Sequence, residues 1–352
     1  MSRPLLPSPA CPAVHGRLGA LLDHLDTRSL HEQRIVVTGG TGFFGYWLLS
    51  LFDLLHRQGV ALKVCVLSRS PTAFLARAPF LADAPWLDWQ QGDIKDFGAL
   101  PPADLLIHAA TDTDADAHRH PLAIMDDSLL GTRHTLERAR EAGVRRALYV
   151  SSGAVYGRQP ADVAHVPEDA AFACDALHPG SAYGEAKRAA EQWCLQYDLQ
   201  HDIAIPVARC FAFVGATLPL DGHFAIGNFI RDALAGQTIQ VSGDGSPLRS
   251  YLYGADLAIW LLTLLLQGQH GRAYNVGADQ ALSIAELAHQ VRDTLAPAAA
   301  VHITRGHDDK AGRNRYIPSI QRARHELALD AWTPLEEAIR LTAECASPVS
   351  QP

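Results

Sequence analysis

The sequence predicts an α/β chain built on one doubly wound parallel sheet, with a smaller second lobe after it. Three patterns predict this. Short apolar, β-branched runs alternate with segments of helical apolar spacing. A glycine cluster stands where the first run meets the first helical segment, and the alternation loosens after Gly215. The 352 residues suffice for one large core or two closely packed domains, and 48% hydrophobic with 19% charged residues is an ordinary globular balance.

Taken in order, residues 1–32 are a Pro-rich lead with a short helical stretch at 17–25, expected to lie on the outside of the main domain. The first strand is 34–38, and 44–58 has the apolar spacing of a helix. Further strands are expected at 62–68, 87–91 and 105–108, then a helix at 124–142 that stops at Gly143, and a strand at 147–151. Residues 183–200 read as the next long helix and 203–210 as the next strand. Strands separated in this way by helices imply parallel pairing with right-handed crossovers. Beyond them, short strands at 238–241, 273–276 and 301–304 mix with helices at 224–235 and 283–295. The domain reading is therefore an extension at 1–32, a dinucleotide-binding sheet domain at 33–214 and a substrate lobe at 215–346, with segments near 249–277 returning to the first domain.

The bulk properties exclude several classes. A formal charge of −8 does not suit a nucleic-acid surface. Six cysteines without a Cys-x-x-Cys pair suggest neither a metal site nor a disulfide framework, and reduced thiols in the cytoplasm are expected. Residues 1–12 lack the apolar core of an export signal. The longest apolar run, 257–266, is too short to span a bilayer and reads as a buried helix.

The segment Gly40-Thr41-Gly42-Phe43-Phe44-Gly45 satisfies Gly-x-Gly-x-x-Gly, and Gly39, Gly42 and Gly45 also fit a second glycine spacing. Between a strand and a helix, such glycines permit a tight turn, bring backbone N–H groups to a pyrophosphate and let helix and strand pack closely. The sheet is thus of Rossmann type and the cofactor NAD or NADP. At the end of the second strand stand Ser68 and Arg69, where an acid would bond the adenosine ribose. Arg69 is read two ways, as a contact to a 2′-phosphate or as a solvated loop charge. Asp93-Ile94 follows the third strand, where a carboxylate meets an adenine amino group or simply sits in an exposed turn.

Tyr183 and Lys187 stand one helical turn apart, on one face. A tyrosine hydroxyl with a reference pKa of about 10 is a weak acid or base at neutral pH, and a neighbouring ammonium favours its phenolate. Ser152 or Ser151, at a strand end, is placed to hydrogen-bond the reacting oxygen. His178 and Glu185 flank the tyrosine, either as alternative proton carriers or as plain surface and helix-supporting residues.

These motifs, with His108-Ala109-Ala110, the run Ser151 to Gly157 and Pro179-x-x-x-Tyr183-x-x-x-Lys187, resemble the extended short-chain dehydrogenase/reductase family, and within it the nucleotide-sugar epimerases and dehydratases. The resemblance covers roughly residues 34–329. It implies Tyr183 as catalytic base, Lys187 as its partner on the nicotinamide ribose, and Ser152 as the hydroxyl that holds the substrate. It further implies Ala109 and Ala110 beside the cofactor, Asn228 at the substrate nucleotide, and Arg249 and Arg315 at a substrate phosphate, where an Arg fork suits a pyrophosphate. A homodimer formed by the helices at 124–142 and 183–200 is also implied.

Two departures stand out. Dehydratases of this family carry Asp-Glu directly after the catalytic hydroxyl residue and uronic-acid decarboxylases carry Glu, whereas this chain has Gly153-Ala154. Many relatives also have Asn where this chain has Ala212. The expectation is therefore a nucleotide-sugar hexose 4-epimerase. The alternatives are a 4,6-dehydratase, a keto-sugar reductase, or a non-catalytic dinucleotide sensor on the same fold.

Overall fold

Strands that are apolar along their whole length can be covered on both faces. The computed structural model, which describes residues 5–7, 11–111, 119–222, 224–304 and 314–346, builds that arrangement. The first half runs α1 (Pro12–Leu21), β1 (Gln33–Thr38), α2 (Phe43–Arg57), β2 (Leu62–Ser68), α3 (Pro71–Leu75), β3 (Leu87–Gln91), β4 (Leu105–His108), α4 (Pro121–Glu141), β5 (Arg146–Ser152), α5 (Ala182–His201), β6 (Val207–Cys210) and β7 (Phe213–Val214). The second half runs α6 (Ala225–Leu234), β8 (Ile239–Val241), β9 (Leu248–Arg249), β10 (Leu252–Tyr253), α7 (Gly254–Gln267), β11 (Ala273–Val276), β12 (Leu282–Ser283), α8 (Ile284–Leu295), β13 (Val301–Ile303), β14 (Arg315–Tyr316), α9 (Gln321–Leu327) and α10 (Leu335–Ala346).

Seven strands form one parallel sheet in the order β11-β6-β5-β4-β1-β2-β3. The order reverses between β1 and β4, the switch point at which open α/β sheets bind ligands. One face carries α4 and α5 over Val36, Leu106, Leu136 and Ala190. The other carries α2 and α7, with Trp47, Leu51, Leu261 and Leu265 fully buried. Helix α7 is buried from Gly254 to Leu265, as its apolar run predicts. It hands β11 to the edge of the sheet beside β6. The remaining strands form small ladders, β7 with β10, β8 with β13, and β12-β9-β14.

The sequence expectation differs from the structure in several places. The strand expected from residue 203 begins at Val207. Pro206 has no N–H for the ladder, and Ala204 makes only an isolated bridge to Arg146. Helices α9 and α10 were not expected, although α10 buries Leu335, Ala338, Ile339, Thr342 and Ala343 at helical spacing. The N-terminal stretch is a working part of the core. Val14, Leu18 and Leu21 of α1 are buried against α2, α7 and α10, and Tyr253 donates from its hydroxyl to the Ala13 carbonyl at 3.0 Å.

A carboxylate ties this corner together. Asp256, fully buried at the start of α7, accepts from the backbone N–H groups of Trp332 and Thr333 at 2.7 and 2.9 Å and from the Thr333 hydroxyl. Arg17 of α1 donates to the same Thr333 hydroxyl and to the Trp332 carbonyl, each at 2.7 Å. Asp256→Ala leaves these buried donors unpartnered, so it should cost about 3 kcal/mol or more in urea unfolding, with the chain otherwise folded.

Candidate active site

The glycine turn is built from close approaches that side chains would block. Gly39 has φ +74, and a Cβ there would stand 2.4 Å from the Ala109 carbonyl oxygen and 2.8 Å from the Ala110 nitrogen. A Cβ on Gly45 would stand 2.1 Å from the backbone of Gly40, and one on Gly40 would meet Val66 of β2 at 2.6 Å. Gly42, the N-cap of α2, faces nothing closer than the Gly39 carbonyl at 3.6 Å. Among the described residues no side chain caps α2, and its first turn holds no acid. Its N–H groups are therefore available to an anion, which is what a dinucleotide pyrophosphate requires. Phe44 stacks edge-on against Phe213 of β7 at 5.0 Å and against Phe43 at 6.1 Å, so the rings pack the turn.

At the ends of β2 and β3, where the sequence leads one to expect the adenosine, the side chains are engaged with one another. Ser68 accepts the Ser70 N–H at 3.2 Å, turning the chain out of β2, and Gln91 donates to the Arg69 carbonyl. Burial pushes the Asp93 carboxyl up, but the N–H and ammonium of Lys95 and the charge of Arg69 bring it below its ordinary value. Lys95 also pairs with Asp127 of α4. The Ile94 side chain lies against Gly131 of the same helix.

The proposed catalytic residues meet at the end of β5. Ser152 is buried and accepts the Ala154 N–H at 3.1 Å, with the Tyr183 phenol nearby. Lys187 is 3% exposed and donates to the Val150 carbonyl and the Thr111 hydroxyl, both at 2.8 Å. Burial drives the two titrating groups in opposite directions. It holds Lys187 down to about 8 and pushes Tyr183 up to about 12, with the nearby Ser152 hydroxyl partly offsetting the latter. The protein alone therefore does not produce the depressed phenol expected from the Tyr-Lys spacing, because desolvation is the larger effect. His108, held between Thr38 and Thr132 at 2.7 and 2.9 Å, is kept neutral by burial and by Lys187, down to about 3.

Ser151 is not at this centre. Alternation along β5 turns it away from Ser152, and it donates to Glu191 at 2.6 Å. Glu191 is paired with Arg209 of β6 at 2.7 Å. Tyr183, Lys187 and Glu191 recur every four residues on α5, a spacing that marks Glu191 as a site neighbour from sequence alone. His178 accepts the Gly180 N–H in an exposed turn, and Glu185 lies near Cys174, so neither stands among the catalytic groups.

Strand β14 brings one unexpected group to the centre. The Tyr316 hydroxyl donates to the Cys210 carbonyl at 3.4 Å near Ser152, and it lies 2.8 Å from where a Gly153 Cβ would stand, beside the ring of Phe211 at the same distance. Arg249 lies over the Tyr316 ring at 5.9 Å. Arg249 pairs with Tyr316 in the ladder and Arg315 with Leu248, so the two arginines leave opposite faces of that ladder and do not form the expected fork there. The Arg315 Nε is buried without a hydrogen-bond partner among the described residues. Asn228 bonds Gly222 and Arg231 and lines a polar cavity of about 570 Å³ with Asp221, Gln240 and Ser242.

Lys187→Met gives a stability test of this burial. A lysine held at about 8 against its ordinary 10.5 carries a cost of about 3 kcal/mol that is fully present below pH 8 and is relieved as pH rises towards 10.5. Thermal melts of the two proteins should show wild type gaining on Lys187→Met across that window. Parallel pH dependences would contradict a desolvated ammonium.

Comparison with known proteins agrees with this architecture. Over 316 residues the chain is 27% identical to UDP-glucuronic acid decarboxylase 1 of Danio rerio, covering 88% of this chain and 72% of that protein. Its structure is similar to that of a dTDP-glucose 4,6-dehydratase from Streptomyces venezuelae, solved with NAD bound, at TM-score 0.73 and 25% identity over 89% and 96% of the two chains. The UDP-glucose 4-epimerase of Thermotoga maritima shares the fold at TM-score 0.73 and 21% identity, over 89% and 98%. Residues 35–277 match the NAD dependent epimerase/dehydratase family, and the chain belongs to that family.

Proposed function

We propose that this chain is an NAD-dependent nucleotide-sugar 4-epimerase working through a transient 4-keto sugar. One observation carries the choice between family reactions. The pair after Ser152, which carries an acid in the dehydratases and decarboxylases, is Gly153-Ala154, and the space a side chain needs at Gly153 is filled by Tyr316 and Phe211. Oxidation at C4 needs Tyr183, Ser152 and Lys187. Elimination needs further proton transfers, each worth about 10²–10⁴-fold in rate.

In this reading the Tyr183 Oη takes the proton of the C4 hydroxyl and later returns it, while the Ser152 Oγ holds the same oxygen. Lys187 holds the cofactor ribose from its position beside Thr111. Gly39, Gly42, Gly45 and the N–H groups of Phe43 and Phe44 hold the pyrophosphate, with Ala109 and Ala110 alongside and Ser68, Arg69, Asp93 and Ile94 at the adenosine end. The oxidised nicotinamide, when bound, supplies the hydride acceptor. Arg249, beside the Tyr316 ring, meets a substrate phosphate, and Asn228 lines the cavity that takes the nucleotide.

A second reading, oxidation followed by loss of a carboxyl group, is favoured by the decarboxylase likeness. The two diverge in product. Nucleotide hexoses incubated in D₂O should return a C4 epimer of unchanged mass with no deuterium at C5, by mass spectrometry and proton NMR. Loss of water, or release of carbon dioxide from a nucleotide uronic acid, would overturn the epimerase assignment. Tyr183→Phe should reduce turnover by about 10²-fold or more while the protein keeps its fold and its NAD affinity.

The α4–α5 face supports a homodimer. Leu122, Leu130 and Leu199 are 77%, 55% and 68% exposed there, next to a Trp193 capped by Arg133. Sedimentation should give twice the chain mass, and Leu130→Glu should give the single chain.

A further inference from the structure

Two cysteines from opposite ends of the chain meet in the fold. Cys11 is the N-cap residue of α1, and Cys345 stands in the last turn of α10. Their Sγ atoms are 3.7 Å apart, across 334 positions of sequence. Among the described residues no other two thiols are in contact. Cys194 and Cys210 are buried, and the Cys174 thiol donates to the Ala154 carbonyl at 3.0 Å.

The backbone on each side of the contact is fixed. The Cys11 carbonyl accepts the N–H groups of Val14 and His15 at 2.9 and 3.0 Å, which sets the first turn of α1. On α10, Ile339, Thr342 and Ala343 are buried, and the Thr342 hydroxyl donates to the Ala338 carbonyl at 2.6 Å. Arg17 joins the two helices a second time, 3.7 Å from Glu337. The sulfurs thus meet because two docked helices bring them together, and both residues are only half-buried, within reach of a small reagent.

We propose that Cys11 and Cys345 are a redox modification site, oxidised by a small-molecule disulfide of the glutathione class to an intramolecular disulfide that fastens α1 to α10. The step is thiol–disulfide exchange. The Cys11 sulfur, as thiolate, attacks one sulfur of the small disulfide, and the other half leaves as a thiolate and takes a proton from water. Cys345 then gives its proton to water and attacks the Cys11 sulfur, and the second half leaves in the same way. Two protein thiols are oxidised and one small disulfide is reduced to two thiols. Burial and the neighbouring Cys11 push the Cys345 thiol well up, which leaves the opening attack to Cys11. The sulfurs close from 3.7 Å to about 2.05 Å, a step on the scale of side-chain rotation.

The loop closed in this way contains nearly the whole chain. Linking so long a loop restricts the unfolded chain more than linking a short one, so the bond favours the folded state. The pair lies on α1 and α10, whereas Ser152, Tyr183 and Lys187 lie on β5 and α5, so this site is independent of the reaction assigned above.

The test uses the full chain, reduced, freed of reductant and held under native conditions in glutathione buffers of rising oxidised fraction. Samples are alkylated with N-ethylmaleimide, digested and mapped by mass spectrometry. The expected product is one linked pair of peptides, Cys11 to Cys345. The linked chain should melt about 5 °C above the reduced one, and dithiothreitol should reverse the gain. Cys345→Ser should leave Cys11 as a mixed disulfide with glutathione and show no such gain. Cys11 and Cys345 recovered unlinked across the whole series, or linkages scattered over the six cysteines, overturn the proposal. A linked chain that melts no higher overturns the fastening of α1. The mapping needs no substitution, so it decides the matter even should Cys345→Ser fail to fold.

Discussion

The site depends on how α5 is held against β5. Two buried polar contacts one helical turn apart do this, from the Lys187 ammonium to the Val150 carbonyl and from the Ser151 hydroxyl to Glu191. Neither charge could stay buried unpartnered. The helix therefore has one rotation and one height at which both are satisfied, and at that setting Tyr183 reaches Ser152. Arg209 extends the clamp to β6 and bonds the Tyr156 hydroxyl at 2.9 Å, so the strand end, the helix and the loop after Ser152 form one unit.

Desolvation gives this unit its electrostatic character. It drives Tyr183, Tyr149, Tyr316 and Cys210 towards neutrality, and His108 and Lys187 as well. The result is a cleft of hydroxyls and neutral rings in which any charge that develops meets preset hydrogen bonds and little screening.

The sheet and its glycine turn were legible because strands and helices there repeat at clean periods and because glycines report close approach directly. That Tyr183, Lys187 and Ser152 would come together at the end of β5 was legible for the same reason, each standing at a fixed offset from a strand end or along one helix. Contacts between distant short strands were not. Nothing local marks Tyr316 as a neighbour of Ser152, since a two-residue ladder with Leu248-Arg249 places it there. The opposite faces of Arg249 and Arg315 depend on that same register. Ser151 was misjudged because adjacent strand residues point apart, and the loss of its hydroxyl to Glu191 is visible only once α5 is docked.

The docking of α1 also orders the chain in time. Its partners lie in α2, α7 and α10, and its Ala13 carbonyl meets Tyr253, a separation of 240 residues. On a ribosome, where chains fold from the N-terminal side as they emerge, α1 is made well before α7 and α10, which complete its burial. Its apolar face, Val14, Leu18 and Leu21, has only α2 to pack on until then. Helix α1 can therefore settle fully only after the strands and helices between it and α10 have been made.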